Sequence, residues 1–327
     1  MNKLSDYIVF LMLILSFMLS GCGHSSAGPQ TQIDSPTGFP LTLTDALDRE
    51  VTFDAPPSRI VSVAPKNTEL MYSLGFGDRL VGVTTFCNYP PAAEKLDKIG
   101  GMTAQTINQE LIVALKPDLI LCSDRMHEPL IPQWENLGIP VFVLGAESLD
   151  SMYEEMQILG QIMNDAQAAE ELIGSLQKRL AAIKTGVAKV AEDKRPKLFY
   201  QVWDEPLMGA GPSSFIGQIL DLTGGKNILH GVKEPYPYVS HETVVDRNPD
   251  VVFAPTTHSQ EVIPEKIARQ PGWEGINASK TKRIFLLDGD EVSRRGPRMI
   301  DALETMVGLM YPEQFGHYLD DQKGGEK

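Results

Sequence analysis

The residues best equipped for chemistry stand where apolar runs end. Phe86-Cys87-Asn88-Tyr89 follows the run at 80–84, and Trp203-Asp204-Glu205 closes the run that begins at Lys197. Tyr236-Pro237-Tyr238 precedes Glu242, and Asp290, Arg294 and Arg295 follow the run at 283–287. Aromatic rings offer large stacking faces at low rotamer cost, while Asp and Arg hydrogen-bond polar substituents. Together they suit non-covalent capture of a broad ligand with polar arms. Taken singly, any one of these aromatics reads equally well as an ordinary loop or core residue.

Catalytic patterns fail on their spacing. Gly211-Pro212-Ser213-Ser214-Phe215 lacks the second glycine of a nucleophile elbow. Gly224-Gly225-Lys226-Asn227 has Leu220 where a phosphate loop needs its first glycine, so it reads as a helix stop. The six His are scattered, with no HExxH. No metal site is expected, and a metal-dependent hydrolase lacks its ligands. Cys87 and Cys122 read equally as a pair across strand ends or as two buried thiols. A formal charge of −14 argues against nucleic acid and against adhesion to an anionic membrane surface.

The elements that must position these residues alternate. After a hairpin at 41–44 and 51–53, apolar runs at 59–63, 80–84, 119–122 and 141–144 are separated by helical stretches at 67–74, 111–115 and 130–137, with Asn67 as a cap. That alternation predicts an α/β lobe with a parallel sheet over 41–150. From Ser151 to Glu192 no proline occurs, and residues 151–195 read as a helical segment. Its main helix is capped by Asp165 and runs to about residue 191, with Leu172, Leu176, Leu180 and Ile183 as an apolar stripe. Strand and helix signals then resume over 196–312 as a second lobe, followed by a polar tail at 313–327, frayed from Asp320. The lobes echo each other. Glu110 stands seven residues before Pro117-Asp118 and an apolar run, and Glu242 seven residues before Pro249-Asp250 and another.

At the N-terminus, Lys3 precedes an apolar stretch at 7–19, too short to span a bilayer, which ends in Leu19-Ser20-Gly21-Cys22. Small residues before a Cys resemble a lipobox. Residues 1–21 are therefore expected to be a leader, Cys22 the lipidated mature N-terminus, and 22–40, rich in Gly, Ser, Pro and Thr, a flexible tether. The expected location is extracytoplasmic, anchored to the membrane.

Four stretches carry a resemblance to a known family: Arg59-Ile-Val-Ser-Val-Ala-Pro-Lys-Asn-Thr-Glu-Leu, Val81-Gly-Val-Thr-Thr-Phe-Cys-Asn-Tyr-Pro-Pro, Ile112-Val-Ala-Leu-Lys-Pro-Asp and Tyr236-Pro-Tyr-Val-Ser-His-Glu. They resemble the helical-backbone (class III) periplasmic solute-binding proteins of the iron-complex and vitamin B12 family, closest to the cobalamin branch. The resemblance implies two Rossmann-like lobes with parallel sheets, joined by one long helix, with the ligand cleft between them. It implies a monomeric, non-enzymatic receptor that delivers cobalamin or a related corrinoid, or haem or a ferric siderophore, to an ABC permease dimer with its ATPase subunits. No intrinsic cofactor is implied. Phe86 falls where that branch has a cleft Tyr, Tyr236 where it has a cleft Trp, and Asp290 and Arg294 on its polar ligand contacts. Trp203 lies near another cleft aromatic, and Tyr89 joins the set. Residues 100–104 lack the branch's Trp, and Ser123 lies near where another is expected. For haem, His230, His241 and Tyr236 are the available iron ligands. Glu110 and Glu242 match surface carboxylates that dock on the two permease subunits, although the helix dipole alone favours a Glu in a first turn. A stiff interlobe helix also implies little closure on binding.

Overall fold

Most buried runs are followed by a helix that carries the chain back to start the next strand in the same direction. The computed structural model describes residues 38–256 and 263–324. The leader, Cys22, most of the tether and residues 325–327 lie outside them. A hairpin of β1 (Leu41–Thr44) and β2 (Glu50–Phe53) opens the described chain, with Leu41 opposite Phe53. The first lobe follows: β3 (Ile60–Ser62), α1 (Pro65–Ser73), β4 (Leu80–Val83), β5 (Asp97–Lys98), α2 (Gln109–Ala114), β6 (Leu119–Ser123), α3 (Ile131–Asn136) and β7 (Val141–Leu144). Its sheet is parallel, in the order β5-β4-β3-β6-β7. The chain order reverses at β3, which opens a crevice beyond the carboxyl ends of β3 and β6. β3, β6 and β7 are buried throughout, as parallel strands covered on both faces must be.

Two helices carry the chain to the second lobe. α4 (Leu149–Ile162) starts with a reciprocal cap between Ser148 and Ser151. It packs against α5 at Gly160, where a Cβ would stand 2.7 Å from that of Ala169. Asn164 turns the chain at φ 57°, and the Asp165 carboxylate accepts from the Ala168 amide at 3.1 Å, opening α5 (Ala166–Val187) as the sequence predicted. Its 22 residues span roughly 33 Å. It ends short of residue 191 because the Lys189 and Val190 amides bond to Gly186 and Val187, tightening the turn that buries Val190. Leu176, Leu180 and Ile183 are buried; Leu172 is only partly covered.

The second lobe contains β8 (Lys197–Asp204), β9 (Leu207–Gly209), α6 (Phe215–Leu222), β10 (Lys226–Asn227), α7 (His241–Arg247), β11 (Val251–Pro255), α8 (Pro264–Ala268), α9 (Asn277–Lys280), β12 (Ile284–Leu287), α10 (Gly289–Ser293) and α11 (Met299–Met310). Its sheet runs β10-β8-β11-β12 in parallel, with β9 antiparallel on the end of β8. Gly224 stops α6 at φ 71°, as expected for the double glycine. Each lobe has its own outer core, around Trp134 in the first and Trp273 in the second. A third core is shared: Phe142 and Leu159 join Ile173, Tyr200 and Leu303 across α5.

Two local expectations are corrected, and one left open is settled. Asn67 does not cap α1, which starts at Pro65; its buried side chain instead donates to the Cys122 carbonyl at 2.7 Å, tying the helix to the end of β6. Cys87 and Cys122 are both free, and the Cys87 thiol lies 3.1 and 3.2 Å from the Thr68 and Thr84 hydroxyls. The segment read as a tail forms α12 (Pro312–Phe315) and α13 (His317–Gly324), with Phe315 buried against the glycine-flat surface of α5 at Gly186.

The internal repeat has a shared mechanism. In each lobe a helix opened at Asn108 or Ser240 ends in a left-handed residue, Lys116 (φ 49°) or Asn248 (φ 47°). The following Asp grips the first strand of its lobe. Asp118 accepts from the amides of Ser58 and Arg59, both at 2.8 Å, and Asp250 from the amide of Lys197 at 2.9 Å. Arg59 and Lys197 reach back to the carbonyls that end the helices, Leu115 at 3.2 Å and Arg247 at 3.2 Å. Asp118→Ala is expected to cost about 2 kcal/mol in denaturant unfolding, because two backbone donors lose a charged acceptor, while ligand affinity stays unchanged. Unaltered stability would refute this role.

Candidate ligand cleft

The carboxyl ends of β3, β4 and β6 and the segment after β12 meet between the lobes. Asp288 caps α10 by accepting from the amides of Asp290 and Glu291 at 2.8 and 3.4 Å. That short turn sets Asp290 and Arg294 one helical turn apart, paired at 2.8 Å. The chain then bends at Gly296-Pro297 into α11, so Arg294, Arg295 and Arg298 all reach the first lobe.

Each arginine has distinct partners. Arg294 donates to Glu69 at 2.6 Å, to the Asn88 side-chain oxygen at 2.8 Å and to the Phe86 carbonyl at 3.0 Å. Asn88 closes the ring by donating to Asp290 at 2.8 Å. Arg298 lies 3.3 Å from Glu69 and 3.1 Å from Glu291, and its guanidinium sits 4.0 Å above the Tyr89 ring. Arg295 donates to the Ala146 carbonyl at 2.8 Å and lies 3.5 Å from Asp124. At the cleft floor Lys66 is buried against Glu155 at 2.8 Å, and Glu155 also accepts from the Ala146 amide at 2.6 Å.

Burial is the dominant influence on these carboxylates. It pushes Glu69 up despite Arg294 and Arg298, and Glu155 up despite Lys66. Glu291 rises to about 7, mainly through burial, with Arg298 opposing. His127, buried with its Nε2 2.7 Å from the Met102 carbonyl, is lowered by burial in turn.

Two cavities lie in the cleft. One of about 250 Å³ is lined by Lys66, Phe86, Met102, Asp124, Asp290 and Arg294. The other, about 820 Å³, is lined by hydroxyls of Ser148, Ser151, Ser213 and Ser214 together with Tyr236. Arg295 borders both. The structure therefore gathers Phe86, Asp290 and Arg294, places Tyr236 across Arg295, and sets Tyr89 beneath Arg298. Trp203 stands apart. Its indole donates to the Glu205 carbonyl at 2.9 Å, and it lines a separate 460 Å³ hollow with His241, at the carboxyl ends of β8 and β11. Tyr236 and His241 thus line different cavities, and His230 is exposed and lines neither. Among the described residues no three His, Cys, Asp or Glu side chains form a metal-holding group.

Glu110 and Glu242 occupy equivalent second positions of α2 and α7, both exposed. The Glu242 carboxyl is held below the usual range by its own amide and the Ser240 hydroxyl. Sequence reasoning missed Glu69 and Arg298. The available signal was an acid inside a stretch that otherwise reads as a core helix.

An α/β fold with two Rossmann-like lobes joined through the long helix α5, and a charged, aromatic-rimmed cleft between them, defines a class of solute receptors. Residues 60–291 match the family described as periplasmic binding protein, and the chain belongs to that family. It is 30% identical over 310 residues to an uncharacterized ABC transporter substrate-binding lipoprotein, YvrC, of Bacillus subtilis, covering 93% of this chain and 96% of that one. Among solved structures it is similar to a possible iron-binding, periplasmic solute-binding protein from Staphylococcus epidermidis, at 31% identity and a TM-score of 0.69, covering 78% of this chain and 99% of that one. It is also similar to the periplasmic vitamin B12 binding protein BtuF of Vibrio cholerae, at 27% identity and a TM-score of 0.64, covering 78% and 97%.

A carboxyl with a raised folded-state pKa lets the native state bind extra protons between the unfolded and folded values, so its contribution to stability falls as pH rises through that window. For Glu291 the window runs from about 4.5 to about 7. Glu291→Gln should therefore melt higher than the wild type at pH 8 and equally near pH 4. A gap that does not grow with pH would contradict the assignment.

Proposed function

We propose that this protein is the lipid-anchored, extracytoplasmic substrate-binding component of an ABC importer, and that its ligand is cobalamin or a related corrinoid. The observation that carries the reading is the cleft itself. Exposed rings at Phe86 and Tyr236 line the cavities beside hydrogen-bonding groups supplied by both lobes, and Tyr89 lies beneath the Arg298 guanidinium. A corrin has a flat face and many amide arms, which suits aromatic faces beside hydroxyls and charges. The similarity to a vitamin B12 binding protein supports the same ligand. Asp290 and Arg294 are the polar contacts in this reading; Trp203, which lines the separate hollow, is not among them. Cys22 carries the lipid, in line with the lipoprotein relative.

A second reading rests on the similarity to a possible iron-binding protein: a ferric siderophore or haem in the same cleft. Absorption spectra after gel filtration with cyanocobalamin, hemin or a ferric hydroxamate separate the two. The corrinoid reading expects cyanocobalamin to comigrate with the protein; hemin or the hydroxamate comigrating while cyanocobalamin does not would overturn it.

Docking follows from the repeat. Glu110 and Glu242 present carboxylates from matching helix starts on both lobes, a geometry suited to a permease dimer carrying cationic partners. Glu110→Ala and Glu242→Ala are expected to leave ligand affinity unchanged and to reduce uptake, with the double variant lowest. Full transport by a folded, ligand-binding double variant would sink the assignment.

A further inference from the structure

The two residues expected to meet the ligand, Asp290 and Arg294, are tied to the opposite lobe. Arg294 bonds to Glu69, Asn88 and the Phe86 carbonyl, all from the first lobe. The partner of Arg294 in α1, Glu69, is 2% exposed, and its other guanidinium contact, Arg298, is stacked on Tyr89. One carboxylate oxygen of Glu69 takes both arginines, while the second has no hydrogen-bond partner. A buried carboxylate in this position adds little to net stability, because desolvation offsets the ion pairs, but it fixes the geometry of whatever it holds.

We infer that Glu69 is the positioning residue of the cleft: it pins Arg294 and Arg298 to the first lobe, and thereby sets the lobe separation and the orientation in which Arg294 and Asp290 meet a ligand. Asn88 completes the clasp by bridging Arg294 and Asp290. The inference rests on the cleft being the binding site, but its first consequence concerns the protein without ligand. Lobes that share one core and one stiff helix can still rock by small angles, and the clasp, beside the Arg295 bond to the Ala146 carbonyl, is a cross-cleft contact that limits this rocking. Binding then requires no search for Arg294, since its rotamer is already fixed, and pre-organisation of this kind raises affinity by lowering the ordering cost.

Spin labels on Lys95→Cys and Glu274→Cys, exposed positions on the two lobes, report lobe separation, while Cys87 and Cys122 are buried. Glu69→Gln keeps the shape and removes the charge. The inference expects a broader interlobe distance distribution in the ligand-free variant, narrowing when cyanocobalamin is added. It expects a roughly tenfold loss of cyanocobalamin affinity, together with a lower melting temperature because Arg294 and Arg298 lose the carboxylate they share. A purely structural role would lower the melting temperature and leave the distances alone. Asn88→Ala, which removes the bridge and leaves the Glu69 carboxylate in place, should broaden the distribution in the same direction and decides the matter if Glu69→Gln does not fold. Distributions as narrow as the wild type's in the folded variants would overturn the inference. Failure of the wild type to bind cyanocobalamin would instead count against the corrinoid reading, with the ligand-free distances still testing the clasp.

Discussion

A carboxylate buried between two arginines from the far lobe is the constraint on which the cleft depends. The covalent link between the lobes, α4 and α5, sets how far apart they sit, and the shared core around Ile173, Tyr200 and Leu303 sets how they pack. Neither determines what lines the gap. That falls to the segment after β12, where a four-residue spacing puts Asp290 beside Arg294 and a bend sends Arg298 to the same acid. Burial pushes the Glu69 carboxyl up, and the two guanidinium groups beside it pull it back down. The cleft therefore keeps its charged lining at the cost of stability that an apolar interface would supply.

Much of the scaffold was legible in the sequence because its signals are local. Continuous apolar runs bounded by helices imply a parallel sheet, and the strands fall where those runs lie. Asp165 as a cap and Gly224 as a stop needed only their neighbours to be recognised. The repeat of Glu, Pro and Asp was visible as spacing, and its cause is a backbone clamp from Asp118 and Asp250 onto the first strand of each lobe. Asn67 misled because a cap residue preceding apolar positions looks like a helix start; Pro65 had already begun the helix, and the amide was needed to reach Cys122.

The site was less legible because its contacts are remote. Glu69 and Arg294 are 225 residues apart, and nothing in either neighbourhood announces the other. Phe86, Asp290 and Arg294 were recognisable as a set through strand ends and family resemblance, and they share one cavity. Trp203, chosen by the same reasoning, points into a different hollow because alternation along β8 puts it on the face of Phe199 and Gln201, away from the shared core. A strand end fixes where a residue is, while the parity of its position fixes which face it serves.

If the clasp holds the lobes as proposed, the receptor selects its ligand with a lining assembled beforehand rather than with a wide closing motion. The helix α5 offers no loop hinge between its ends, the shared core resists shear, and the arginine clasp spans the gap. Small-angle X-ray scattering of the ligand-free and cyanocobalamin-saturated protein tests this most directly. A preassembled cleft predicts scattering curves that superimpose apart from the contribution of the ligand itself. A clear compaction on saturation would contradict it.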